Sequence, residues 1–332
     1  MRDGARAAGL MIGILADTAF GDPRRGHPVA AFGSLATRLE RRLYRDSRAA
    51  GAAYTAVLVG GTVAVGALAA RTGGPVTRTV VTAASTWAVL GGTSLVREGG
   101  ALAAELAADD LPAARRRVPH LCARDPALLD SGGMARAGVE SLAENTSDAV
   151  VGPLVWGALA GVPGLLGYRA VNTLDAMVGY RSARYERFGC AAARLDDLVN
   201  LVPSRVTALL TVALAPLVGG SPRAALRAWR RDAAAHPSPN AGPVEATAAG
   251  ALGLRLGGPT TYAHGTENRP TLGDGRRPGP ADLARAARLS RLVAATAGVL
   301  AVGVALVAAR PGASGSGAAA DGPGQRVTPP WG

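Results

Sequence analysis

Carboxylates, amides, hydroxyls and arginines crowd the stretch from Glu140 to Arg205 more densely than any other part of the chain. It opens with ESLAENTSDAVVGP, continues after an apolar passage with YRAVNTLDAMVGYRSARYERFG, and closes with ARLDDLVNLVPSR. If Glu140 to Asp148 is helical, Glu140, Glu144 and Asp148 stand at i, i+4 and i+8 and share a face. Like charges at that spacing repel by about 0.2–0.5 kcal/mol per pair on an exposed helix. Such a row persists most simply with a cation against it, either a metal ion or arginine; a solvated acidic face is the alternative. Asn145, Thr146 and Ser147 add hard oxygen donors, and Asn172 and Asp175 repeat the theme on the next segment.

The familiar catalytic signatures are missing. A Walker-type GxxxxGK[ST] cannot occur, because the chain contains no lysine. No GxGxxG opens a βαβ unit, no GxSxG marks a nucleophile elbow, and no strand alternation is visible. What remains is Asp, Glu and Asn with Arg. That set suits Mg²⁺, which takes a few carboxylates plus phosphate oxygens, and anions that guanidinium groups clamp.

The elements that position these residues read as helices in an apolar setting. A short helix, Ala7 to Ala16, precedes GDPRRGHPV, whose Gly-Asp-Pro and His-Pro pairs are turn signals that put His27 on a loop. An Arg-rich amphipathic helix follows, roughly Val29 to Ser47. Residues 52–70 and 79–96 are each about long enough to cross a hydrocarbon core and are joined by RTGGPVTR, so they predict a transmembrane hairpin. Residues 97–139 are polar and helical in pattern. Residues 150–167 and 206–219 are apolar but interrupted by Pro and Gly. Crossing once at each would put an Arg-rich block outside, so both are expected to be re-entrant, interfacial or buried, with the polar blocks on one face. Residues 259–281 read as loop and 292–309 as the last span. The expected class is an all-α polytopic integral membrane protein with a helical cytoplasmic body and broken helices. One domain would cover residues 1–310 and a disordered tail 311–332. The expected topology is N-terminus inside, two spans, the body, a final span and the tail outside.

Composition agrees. Of 332 residues 48% are hydrophobic but only 4% aromatic, so Ala, Val, Leu and Gly must do the packing, as in close helix contacts within membranes. The net charge is +12, carried by 36 arginines. A nucleic-acid role is excluded: there is no basic helix with base-reading side chains and no aromatic stacking platform. Arginines beside apolar segments suit cytoplasmic loops and contact with membrane lipid. Cys122 and Cys190 lack CxxC or Cys/His spacing, which predicts free thiols in a reducing compartment and argues against a zinc site. The apolar start mimics a signal peptide, but Asp17 and the GDP turn oppose cleavage, leaving a start-transfer role open.

Taken in order, GDPRRGHPV, ESLAENTSDAVVGP, NTLDAMVGY, RLDDLVNLVPSR and SPNAGPVEA…AGALGLRLGG resemble the CobD/CbiB family, the membrane-bound adenosylcobinamide-phosphate synthases of cobalamin biosynthesis. The resemblance covers nearly the whole chain except the tail. Ala149 stands where the family usually has Gly, Ala176 where Ser is common, and Arg169 where Lys is common, so a cation is kept at 169.

The resemblance implies a ligase at the cell membrane. It would join the f propionate carboxylate of adenosylcobyric acid to (R)-1-amino-2-propanol phosphate, or the free amino alcohol, using ATP and Mg²⁺, by way of an acyl phosphate. On that basis Glu140, Glu144, Asp148 and Asp175 are expected at the Mg²⁺–ATP site, with Glu144, Asp148 and Asp175 holding metal and Asn145 and Asn172 supporting them. Arg181, Arg184, Arg194 and Arg205 become anion clamps, and Asp196 and Asp197 metal ligands or proton acceptor. His27, Asp22 and Asn240 would border the site; Asn240 as a simple helix cap and Asp196 and Asp197 as ion-pair partners are the alternatives. A homo-oligomer, or contact with other late corrin-pathway membrane enzymes, fits such a setting. The competing class is a non-catalytic membrane sensor or transporter component. A transporter, however, would place carboxylates inside uninterrupted spans rather than between apolar segments.

Overall fold

A computed structural model describes residues 2–23, 26–180, 182–262 and 265–308. The expected tail, 311–332, lies outside them. Among the described residues the chain is almost entirely helical. In order it forms α1 (Arg2–Phe20), α2 (Pro28–Leu43), α3 (Arg48–Arg71), α4 (Pro75–Val89), α5 (Gly92–Ala107) and α6 (Leu111–Arg117). Then come α7 (Ser131–Thr146), a π-helical turn (Ser147–Val151), α8 (Gly152–Val178), α9 (Cys190–Val199) and α10 (Leu201–Leu214). The last are α11 (Pro222–Asp232), α12 (Ala241–Leu252), a hairpin of β1 (Leu256–Tyr262) and β2 (Gly265–Leu272), and α13 (Pro280–Ala308). Ser47, Asp130 and Ser221 start their helices by accepting the backbone N–H three residues on, a cap worth about 1 kcal/mol.

Among the described residues five stretches are long and apolar enough to cross a membrane: Arg48–Arg71, Pro75–Ala107, Ser131–Val178, Leu201–Val218 and Pro280–Ala308. Large apolar side chains stand exposed along them, among them Val65 and Leu68 of α3, Val80 of α4, Leu159 of α8 and Val299 and Val307 of α13. An exposed apolar belt of this kind belongs against lipid. The expected spans shift at their ends. The 79–96 helix stops at Val89, where Gly91 donates its N–H to Ala149 O, and the chain restarts as α5. The 292–309 helix begins at Pro280, with an Arg-bearing first half packed on α5 and α7.

Small residues set how these helices meet. A Cβ on Gly9 or Gly13 would lie 2.5 or 2.4 Å from the Cβ of Thr82 or Thr86. Both numbers rise together, so α1 runs parallel to α4. Gly298 of α13 faces Ile14, and Ala305 clusters with Ala7 and Leu10, so α13 runs antiparallel to α1. The first residues of α1 therefore share one end of the bundle with the α3–α4 turn and the end of α13. This corrects the expectation of an N-terminus on the side of the Arg-rich blocks. The arginine that obscured it, Arg6, is satisfied at that end: its guanidinium donates to Ala158 O at 3.2 Å.

α8 is two helical arms joined at Gly161, whose φ of 63° and ψ of −144° reverse the chain. Across the turn, a Cβ on Gly164 would fall 2.2 Å from Trp156 O, and one on Gly152 would fall 2.1 Å from the Tyr168 ring. The chain enters, turns and returns to the end it came from. α10 packs on α12, α13 and the π-helical turn, and the turn that follows it ends beside Arg285, which donates to Val218 O at 3.1 Å.

The region expected as loop, 259–281, contains most of the β-hairpin instead. Its antiparallel register pairs Gly258 with Arg269 and Thr260 with Glu267, with an irregularity between Leu256 and Gly258. Gly257 and Gly258 have φ of 72° and 78°. Glycines and prolines inside both strands removed the alternation by which strands are recognised.

Candidate active site

The π-turn after α7 swings Asp148 toward the returning arm of α8. Gly152 has no side chain, so the Tyr168 ring packs directly on the backbone and the two arms close. Tyr168 Oη donates to Asn200 Oδ1 at 2.7 Å, Asn200 Nδ2 donates to Asp196 Oδ2 at 3.0 Å, and Asn172 Nδ2 reaches Asp196 Oδ1 at 3.4 Å. Asp148 feels the charges of Asp196, Glu144, Arg169 and Asp175, and Asp175 those of Asp196 and Asp197. Gly179 leaves room for this: a Cβ there would fall 1.9 Å from Asp175 Oδ1. Carboxylates from the π-turn, α8 and α9 thus gather around two amides and one guanidinium. Burial pushes the Asp196 carboxyl up to about 6, against the pull of its two amide bonds.

Arg169 connects this cluster to a cavity of about 360 Å³ lined by Asp22, Ser94, Glu98, His120, Asn145 and Arg169. Asp22 borders it as expected; its Oδ1 is buried without a hydrogen-bond partner. Asn145 turns its Nδ2 back to Ser141 O at 2.9 Å. His27 Nδ1 accepts Val29 N–H at 3.1 Å and so caps α2, and Pro28 and Val29 line an apolar cavity shared with Arg169 and Thr173. His27 is thus a neighbour of the site, not part of its acid cluster.

Asn240 is the junction of the other side. Its Nδ2 donates to Asp197 O at 2.8 Å, and its Oδ1 accepts from Arg205 Nη1 at 2.8 Å and Ser204 Oγ at 3.0 Å. It stands at the N-cap position of α12 without a capping bond, so its side chain ties α9, α10 and α12 together. Arg205 also faces a cavity of about 660 Å³ with Trp229, Arg230, His236, Pro237 and Pro243.

Other expected residues lie elsewhere. Glu140 is buried in an ion pair with Arg124 and accepts Gly257 N–H at 2.8 Å. It locks the hairpin to α7 rather than facing Asp148. Arg184 bonds Glu40 at 3.0 Å and sits 4.0 Å over the Tyr44 ring, holding the segment after α8 to α2. Arg194 is exposed. Arg181 lies outside the described residues. Glu144 meets His236 and Glu245, the three ligand atoms falling within 4.8 Å of one another. Burial and the charges of Glu144 and Glu140 raise the Glu245 carboxyl, while burial lowers the His236 imidazole.

Tyr168, Asn200, His236 and Glu245 were not singled out from the sequence. Glu245 had a signal: it is the sole charge in the small-residue helix AGPVEATAAGAL.

The family described as CobD/Cbib protein matches residues 10–290. The "Cobalamin biosynthesis protein CobD" of Mycobacterium tuberculosis (strain CDC 1551 / Oshkosh) is 60% identical over 297 residues, 90% of this chain and 95% of that one. The proteins of that name from Rhodobacter capsulatus and Geobacter metallireducens are each 44% identical, covering 86% and 81% of this chain and 93% and 87% of theirs. No solved structure matches the chain.

Proposed function

The chain belongs to the CobD/CbiB protein family, and from that premise we propose that it makes an amide in cobalamin biosynthesis. It joins the f propionate carboxylate of adenosylcobyric acid to the amine of (R)-1-amino-2-propanol phosphate or the free amino alcohol, with ATP as co-substrate. One observation carries the reading: Asp148, Asp175 and Asp196 come from separate segments to one largely buried place beside Arg169.

A carboxylate is a poor acyl donor to an amine. Transfer of the γ-phosphoryl group to the propionate oxygen releases ADP and gives an acyl phosphate. Attack by the amine then forms the C–N bond and releases phosphate. The hard-oxygen donors Asp148 and Asp175 fit Mg²⁺, which when bound would neutralise phosphate charge. Arg169 adds a guanidinium for the same anion. Asp196, with its carboxyl near 6, is ionised at neutral pH yet basic enough to take a proton from the attacking amine. Asn172 and Asn200 aim it, and Tyr168 orients Asn200. Arg205 faces the large cavity and serves the phosphate of the amine. The membrane is the cell membrane and the site faces the cytoplasm, where ATP is supplied.

The test is product formation by purified protein in detergent. ADP beyond a single turnover is expected only when ATP, adenosylcobyric acid and the amine are all present. Asp175→Asn and Asp196→Asn should each lower the rate at least about 100-fold, the scale of a lost general base or charge partner. ATP hydrolysis that ignores both other substrates would remove the ligase reading.

A further inference from the structure

Behind the acid cluster, α7, α12 and the segment between α11 and α12 enclose a second, smaller group. His236 and Glu245 have side chains 3% and 1% exposed, yet His236 Nε2 and Glu245 Oε1 have no hydrogen-bond partner. An orphaned buried carboxylate oxygen costs several kcal/mol unless something charged meets it. The two atoms lie 3.6 Å apart. That is long for a hydrogen bond but close to the roughly 3.4 Å between two ligands of a tetrahedral ion bound at about 2.0–2.1 Å. Glu144 brings a third oxygen within 4.8 Å of both. Arg269 forms a long ion pair with the same oxygen, its Nη1 3.9 Å from Glu245 Oε1, too far for a hydrogen bond.

The loop holds the histidine ring in place. His236 Nδ1 lies 3.1 Å from Ser238 N and 3.3 Å from Ser238 O. With no ion bound, Nδ1 accepts the Ser238 N–H; binding a metal at Nε2 calls for the other tautomer, in which Nδ1–H donates to Ser238 O, as metal-bound histidines commonly do to a backbone carbonyl. Pro237 and Pro239 stiffen this loop, and the first turn of α12 carries Pro243, so the backbone presenting both ligands has little freedom.

We propose that Glu144, Glu245 and His236 Nε2 bind one transition-metal dication of the zinc or manganese kind. Two carboxylates with an imidazole favour such ions over Mg²⁺, which prefers oxygen donors and keeps its water. The site uses no cysteine, and it is separate from the all-oxygen cluster of Asp148, Asp175 and Asp196. His236 also lines the 660 Å³ cavity beside Arg205, so a ligand in that cavity reaches the edge of the site. The inference does not rest on the ligase reading.

The experiment uses full-length protein in detergent, stripped with EDTA, desalted, and dialysed against Zn²⁺, Mn²⁺, Co²⁺ or Mg²⁺ before elemental analysis. One equivalent of Zn²⁺ or Co²⁺ is expected, with Mg²⁺ at least 100-fold weaker. Bound Co²⁺ should give the intense visible bands of a four- or five-coordinate site. Glu245→Gln and His236→Gln should each weaken binding at least tenfold, while Asp175→Asn leaves it unchanged. No stoichiometric uptake by the wild type, a hexaaqua-like cobalt spectrum, or uptake unaltered in both variants would overturn the proposal. So would wild-type protein that refuses metal while Glu245→Gln melts higher, the mark of two carboxyls sharing a proton. The wild-type spectrum decides the matter even if a variant fails to fold. Metal uptake without corrinoid turnover would sink only the ligase reading, and corrinoid turnover by protein that takes up no metal at this site would sink only the metal.

Discussion

Asp196 links the site to pH. Its folded carboxyl is raised from 3.8 to about 6, chiefly by burial. The folded chain therefore holds this proton more tightly than the unfolded chain. The stability that follows is present below about pH 4 and is lost as pH rises toward 6, a decline on the order of 3 kcal/mol from this group. Thermal unfolding in detergent between pH 4 and 7 should show that fall in the wild type, and Asp196→Asn should flatten it. The Arg124–Glu140 pair makes the opposite kind of prediction. Both side chains are buried, so Arg124→Ala leaves a carboxylate without its counter-ion and should cost about 3–5 kcal/mol, while Arg124→Met with Glu140→Leu recovers much of it. An equal loss in the single and double variants would deny the pair its role. The even spacing of Glu140, Glu144 and Asp148 suggested one acidic row, and the residue types were right for charge chemistry. Each carboxylate nevertheless meets a different partner: Arg124, then His236 with Glu245, then Arg169 with Asp196. Spacing fixes the face of a helix but not what other segments bring to it, and Glu245 arrives from a hundred residues away.

At the level of elements, the α8 hairpin depends on Gly161. Its φ and ψ fall where essentially only glycine is found, although the space beside it is open, with Arg6 Nε at 3.5 Å. Gly161→Ala should therefore cost about 1–3 kcal/mol through the backbone alone. Gly60→Ala, in exposed α3 with nothing near it, should be neutral or stabilising by up to about 1 kcal/mol. Comparing the two melting temperatures separates a backbone requirement from a general dislike of alanine. The break itself was legible, because Pro153, Gly157, Gly161, Pro163 and Gly164 interrupt an apolar run that the positive-inside rule would not let cross. The β-hairpin was not legible, since its glycines and prolines carry turn chemistry inside the strands. The length of α1 was hidden too, because Arg6 lowers its hydropathy and only the fold supplies the carbonyls that satisfy it.

The whole molecule then has two unlike ends. One holds the start of α1, the α3–α4 turn, Gly161 and the end of α13; the other holds the acid cluster, α5, α6, α9 and the hairpin. Because α8 turns back at Gly161, the blocks before and after it lie at the same end, and both are rich in arginine. By the proposed reading that end faces the cytoplasm, the side on which the K/R bias expects an arginine-rich end. Single cysteines in a Cys122→Ala, Cys190→Ala background test this with a membrane-impermeant maleimide. Cysteines at the exposed positions Arg116 and Arg194 should label in inverted vesicles and not in whole cells, whereas one at Gly74, in the α3–α4 turn, should show the reverse. If the 116 and 194 positions label from opposite sides, the Gly161 hairpin crosses the bilayer instead of returning. Asp148 and Asp196 could then not share a site, since each belongs to the block that the turn at Gly161 brings back to the other.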